Sequence, residues 1–225
     1  MILRKPLALV LAILIVLSLA VGCLPPSTPT PTPVPSPVTI FVEPEAGTEP
    51  VVEALRGTES SILMKMYLMT EEEVIAELKD AAARGVSVRV MLEENPYGSM
   101  DNQAVSDDLQ AAGVEVKWAN PTLYLTHEKS IVVDGRMALI MTLNQSHSAF
   151  TRNREYGIVT TNPEDVAEAT AFFEADWERT APQIDEPRLV WSPVNSRERV
   201  LALIDGTTES LDLEQLLMQD EEVED

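Results

Sequence analysis

Thr126-His127-Glu128-Lys129-Ser130-Ile131-Val132-Val133-Asp134-Gly135 is the stretch from which the fold is read outward. His127 and Lys129 stand two apart on a predicted strand, so both face the same side of a sheet. Ile131 and Val133 continue that alternation. Asp134-Gly135 is a turn signal, and Met137 to Met141 reads as the return strand, leading into Thr142-Leu143-Asn144. The hairpin is expected to bring Thr142 and Asn144 beside His127 and Lys129. An imidazole, an ammonium, a hydroxyl and an amide in one place suit a phosphoryl group. The imidazole can attack phosphorus while the ammonium and the amide hold the oxygens as charge builds.

Upstream, strand and helix signals alternate. Ile40 to Glu43 reads as a strand stopped by Pro44, and Pro50 to Arg56 as a helix closed by Gly57. Ser61 to Met69 is an apolar, methionine-rich strand, with Met64, Met66 and Met69 expected in the core. Thr70 is placed to cap a helix whose first turn carries Glu71, Glu72 and Glu73, with Val74, Ile75, Leu78 and Ala82 as its apolar stripe and Gly85 as its end. Val86 to Leu92 is a β-branched strand, Asp101 to Ala112 a helix, and Val114 to Trp118 another strand. Downstream, Leu123 to Thr142 holds several β-type runs and Tyr156 to Thr160 one more. Asn162-Pro163-Glu164 opens a helix reaching about Arg179, with Val166, Ala169, Phe172, Phe173 and Trp177 on its buried side. This alternation implies an α/β fold, a mixed sheet flanked by helices.

An internal repeat sets the organisation. Ile40 to Val74 overlays Leu189 to Val223 without a gap: Pro44 meets Pro193, Gly57-Thr58 meets Gly206-Thr207, Ser61 meets Ser210, Met69 meets Met218, and Glu72-Glu73-Val74 meets Glu221-Glu222-Val223. The chain therefore divides into a leader (1–22), a linker (23–37), one lobe (38–187) and the start of a second lobe (188–225). That second lobe is expected to break off after a strand, a helix and a further strand, as a truncated repeat.

The site stretch resembles the phospholipase D superfamily, whose signature is His-x-Lys-x4-Asp followed by a Gly-Ser-x-Asn-like segment. His127, Lys129 and Asp134 match the first part at its spacing. In the second, Thr142 keeps the hydroxyl and Asn144 the amide, while Met141 stands where glycine is usual. Asn153-Arg154-Glu155 resembles the Asn-x-Glu element that follows. The resemblance implies metal-independent phosphodiester chemistry without a cofactor. In it His127 is the nucleophile forming a phosphohistidine, and Lys129 and Asn144 bind phosphate oxygens with help from Thr142. Glu155 accepts a hydrogen bond from the other imidazole nitrogen and orients the ring. Asp134 belongs to the same signature, with an expected role in steadying the turn. In the family a second copy of the motif supplies the histidine that protonates the leaving alcohol. Here the only other histidine, His147, has no lysine two places on. It reads as an ordinary loop histidine, with a substrate contact as the alternative.

The N-terminus reads as an export signal. Arg4 and Lys5 precede a run from Leu7 to Val21 that is apolar but for Ser18, shorter than the roughly 20 residues of a spanning helix. Leu19-Ala20-Val21-Gly22-Cys23 resembles a bacterial lipobox, with Leu19 one place further from the cysteine than usual. The resemblance implies a chain lipidated at Cys23 and held outside the cytoplasm on the bacterial cell membrane. Cys23 is the only cysteine, so the folded part rests on its core alone. The prolines of residues 24–37 imply a polyproline spacer of about 3.1 Å per residue.

A net charge of -21 weighs against nucleic acid as partner, because an acidic surface repels phosphate backbones. Three functions remain open. The first is hydrolysis or transfer of phospholipid headgroups. The second is a nuclease-like phosphodiesterase with a single motif, completed by a homodimer. The third is an inactive fragment or binding module lacking the second motif.

Overall fold

A computed structural model of the chain describes residues 37–98, 100–217 and 219–220. The leader, Cys23 and nearly all of the spacer lie outside the described residues, as do Met218 and Glu221-Glu222-Val223 of the repeat. In chain order the elements are β1 (Val38–Glu43), α1 (Glu49–Arg56), β2 (Ser61–Met66), α2 (Glu72–Ala83), β3 (Ser87–Leu92), α3 (Gln103–Ala111), β4 (Glu115–Trp118), β5 (Lys129–Val133), β6 (Met137–Met141), α4 (His147–Thr151), β7 (Glu155–Thr160), α5 (Pro163–Glu178) and α6 (Ser196–Asp205).

The seven strands form one mixed sheet in the order β1-β7-β6-β5-β2-β3-β4. β2, β3 and β4 run parallel, joined by the crossover helices α2 and α3, whereas β5, β6, β7 and β1 pair antiparallel. Both faces are covered, so the inner strands are apolar on each side. Ile62, Met64, Met66, Ile131, Val133 and Leu139 point to one face. There they pack against Val51, Val52 and Leu55 of α1, Val74 and Leu78 of α2, and Leu109 of α3. Leu63, Val132 and Ala138 point to the other face, against Val166, Ala169, Phe173 and Trp177 of α5. Each such side chain, fully buried, contributes roughly 1.5–3 kcal/mol. α5 starts where the sequence predicts: Asn162 Oδ1 accepts from the Glu164 amide at 2.9 Å, with proline in the first turn.

Three expectations are corrected. Thr70 does not cap α2. Its amide and that of Glu71 donate to the Gln145 carbonyl, and Glu71 takes the N-cap position. Leu123 to Glu128 is not strand, and β5 begins only at Lys129. The third concerns the repeat. α6 forms where α1 predicts it, but among the described residues neither Leu189–Ser192 nor Ser210–Leu217 is a strand. A strand's hydrogen bonds lie in its neighbours, and a single unpaired strand is not stable in water. Residues 188–191 instead lie against α5. Trp191 stacks on Phe172 with ring centres 3.9 Å apart. The Glu168 carboxylate accepts from the Arg188 and Leu189 amides and from Trp191 Nε1. No helix among the described residues is long and apolar enough to cross a membrane.

Candidate active site

The site forms at one end of the sheet, where β2 leaves, β5 enters, and β6 and β7 meet. Met66 is the cross-strand partner of Lys129, so Tyr67, which follows it, lies beside the residues that start β5. Its ring meets the His127 ring edge-on, centres 4.6 Å apart, and lies 5.0 Å from Lys129 Nζ. Tyr67 is 8% exposed and Lys129 3%. Lys129 Nζ also donates to the His127 carbonyl at 2.7 Å. An ammonium this buried loses hydration, and burial pushes it down to about 8, with Glu155 opposing. The His127 ring lies below the ordinary imidazole value, through partial burial first and the Lys129 charge second. The Glu155 carboxylate pulls it back. His127 is therefore a neutral base at neutral pH, beside a cation.

Glu155 opens β7 and acts electrostatically on both His127 and Lys129. Its Oε2 accepts from the Thr142 hydroxyl at 2.5 Å and its Oε1 from Asn153 Nδ2 at 3.2 Å. Thr142 Oγ1 in turn accepts from the Tyr156 amide at 2.9 Å. Here the expectation for Glu155 is corrected. Among the described residues its oxygens accept from Thr142 and Asn153, no hydrogen bond joins it to the His127 ring, and it acts on the ring through charge. His127 itself precedes β5 rather than lying in it. Asn144 is half-buried, and its Oδ1 is buried without a hydrogen-bond partner among the described residues. A buried amide oxygen left unpaired is costly to a fold, and such groups stand out as places for a ligand or water.

Asp134 is not brought to this cluster. It closes the opposite end of β5, about 16 Å along the strand from Lys129. Its carboxylate accepts from the Glu59, Ser60 and Ser61 amides and the Ser60 hydroxyl. Arg136 pairs with it at 2.8 Å. Asp134 thus ties the β5–β6 turn to the start of β2. His147 opens the short helix α4 instead of lying in a loop. It is exposed, with Nδ1 3.8 Å from Glu71.

Four contributors escape a reading of the sequence. Tyr67 carries no pattern that marks it. Glu93 Oε2 accepts from the Thr126 amide at 2.8 Å and pins the chain just before His127. Asn102, wholly buried, accepts from the Met69 amide and donates to the Tyr67 and Glu93 carbonyls. Lys65 does leave a signal: it is the one charge inside the apolar run of β2. A cavity of about 710 Å³ adjoins the His127 segment, lined largely by apolar groups including Leu123, Tyr124, Leu125, Phe172 and Trp191. That is the size and character of a small-molecule site.

Residues 51–177 match the family described as "Cardiolipin synthase, PLD-like domain". A protein named phospholipase D from Rickettsia bellii (strain RML369-C) is 29% identical over 121 residues, 54% of this chain and 59% of that protein. A probable cardiolipin synthase, YwiE, of Bacillus subtilis (strain 168) is 27% identical over 140 residues, 60% of this chain and 28% of the other. The chain thus spans little more than half of the first relative and less of the second. Among solved structures, the phospholipase D family member Nuc from Salmonella typhimurium shares the fold. The TM-score is 0.58 at 22% identity, over 65% of this chain and 97% of that one.

Proposed function

The chain belongs to the phospholipase D superfamily, and from that premise we propose that it cleaves or transfers phospholipid headgroups through a phosphohistidine on His127. The observation that carries this reading is the pairing of His127, kept neutral, with a buried Lys129 ammonium across the Tyr67 ring. A neutral imidazole nitrogen has the lone pair needed to attack phosphorus. As the N–P bond forms, the bond from phosphorus to the headgroup or glycerol oxygen breaks, and the leaving alkoxide takes a proton from solvent water. Water or an acceptor alcohol then attacks phosphorus, gives up its proton to solvent and releases the imidazole. Lys129 and the Nδ2–H donors of the Asn144 amide hold the non-bridging oxygens, and Glu155 balances the positive charge that His127 gains. Thr142 holds Glu155 in place through its hydroxyl.

Two features favour lipid over nucleic acid as substrate: the acidic chain and the lipobox-like Cys23. In this reading Cys23 and the proline spacer hold the lobe at the outer face of a bacterial membrane, where the substrate lies. The test is headgroup release from phospholipid vesicles by the whole chain, beside a His127→Ala control. Release that the substitution abolishes supports the reading. A folded chain with no release removes it. A second reading, a pair of copies each lending its His127, is favoured by the single His-x-Lys pair of the sequence. A monomer in sedimentation velocity removes that one.

A further inference from the structure

Lys65 shares its face of the sheet with its cross-strand partner Ser130, opposite Lys129, and it is charged yet only 1% exposed. An ammonium taken out of water costs several kcal/mol unless its partners compensate. Here two do. Its Nζ lies 2.7 Å from Glu128 Oε2 and 2.6 Å from Asp176 Oδ2. Burial works against the charge, but the two carboxylates outweigh it and hold the ammonium above its ordinary value. Trp191 covers the cluster, its ring centre 5.4 Å from Nζ.

The two partners differ in what they are attached to. Asp176 belongs to α5, a helix held by its own apolar face. Glu128 stands between His127 and Lys129. Its other oxygen, Oε1, accepts from Ser130 Oγ at 2.6 Å, and Ser130 is the cross-strand partner of Lys65. The segment before β5 has no ladder of its own until Lys129, and Glu93 pins it on the other side at Thr126. Glu128 is therefore the anchor that fixes where His127 is carried.

We propose that Lys65 is a positioning residue which, by clamping the Glu128 carboxylate on the face of the sheet opposite Lys129, sets the place of His127 against Tyr67 and Lys129. A buried cation cannot let go of its carboxylate without large cost, so the clamp is rigid, and misplacing a reacting group by about 1 Å is enough to cost about 100-fold in rate. The role in turnover rests on the phosphohistidine reading above, while the position of His127 does not.

The experiment uses the whole chain labelled with ¹⁵N-histidine. The chain has two histidines, so two pairs of ring-nitrogen signals arise, and His127→Ala assigns the pair that belongs to His127. Substituting Lys65 itself risks the fold, so its two partners are removed in turn. Glu128→Ala should move the His127 signal toward that of a free imidazole and lower kcat by about tenfold or more with KM within about twofold. Asp176→Ala removes an equally close ion pair and should leave the signal where it is. Glu128→Gln, which keeps an acceptor for Ser130 but loses the charge that Lys65 holds, should move it the same way by less, and decides the matter if Glu128→Ala does not fold. An unmoved signal in both Glu128 variants overturns the proposal, as does an equal shift in Asp176→Ala. Wild-type chain without turnover, but with the signal responding as expected, sinks the phosphohistidine reading and leaves the clamp standing.

Discussion

The two copies of the repeat begin alike and end differently. α1 and α6 occupy matching positions and share their C-terminal hydrogen bonds. Gly57 N donates to Glu53 O and Gly206 N to Ala202 O, both at 3.0 Å. Thr58 Oγ1 donates to Ala54 O at 3.0 Å, and Thr207 Oγ1 to Leu203 O at 2.8 Å. All these bonds lie within the segment, so the local pattern is enough to form them. The strands on either side of α1 pair with β7, β3 and β5, and their counterparts beside α6 are not strands. α1 buries Val51, Val52, Ala54 and Leu55, whereas α6 buries none of its residues. Helices are carried by nearby sequence, strands by distant partners.

The largest effect expected from this contrast is chemical. If all chemistry belongs to the first copy and its lobe, His127→Ala lowers headgroup release by about 10⁴-fold or more. A loss below tenfold breaks the contrast, because it puts chemistry elsewhere in the chain. Next comes packing. Leu55→Ala should cost about 2–5 kcal/mol in urea unfolding, since Leu55 is wholly buried. The matching Ile204→Ala, in a helix that buries nothing, should cost less than about 1 kcal/mol. Equal costs would mean that α6 packs as firmly as α1.

A third test removes a tie that holds the first copy to the rest of its lobe. Asp134→Ala leaves the Glu59–Ser61 amides without their acceptor, and should cost about 2–3 kcal/mol of unfolding free energy. Burial pushes this carboxyl up, but the Ser60, Ser61 and Glu59 donors and the Arg136 guanidinium bring it well below the ordinary range. Its stabilisation is therefore fully present above about pH 4, the unfolded value, and is lost as pH falls below that. Wild type and variant should converge in stability toward strong acid. A constant gap would show that the carboxylate's charge is not what holds the turn.

The smallest effect is in the pH profile. If Lys129 binds phosphate in its charged form, present below about pH 8, kcat/KM should fall about tenfold per pH unit above that. The acid limb belongs to neutral His127 and should lie below the ordinary imidazole value of about 6.5. An alkaline limb near 10 would mean that Lys129 is as solvated as an exposed side chain.

Much of this was legible along the chain. The β5–β6 hairpin, its turn and the alternation of Lys129, Ile131 and Val133 follow from period-two patterning, and α5 follows from its Asn162 cap and apolar stripe. The motif marks His127, Lys129, Thr142 and Glu155 by fixed spacings along the chain, and they fall just before β5, at its start, just after β6 and at the start of β7. Tyr67, Glu93 and Asn102 could not be read, since each acts on a residue at least 33 positions away, along a path set by the sheet.

By itself, then, the sequence determined most of the helices, which runs alternate and the family to which the chain belongs. These depend on bonds and spacings within a few residues. Only the tertiary structure decided that Glu155 is held by Thr142 rather than by the His127 ring and that Asp134 ties a turn at the far end of β5. It alone placed Lys65 behind Glu128 and left the second copy of the repeat with its helix but without its strands. Each of those outcomes turns on which groups are left in reach once the sheet has ordered its strands, and strand order is a property of the whole lobe.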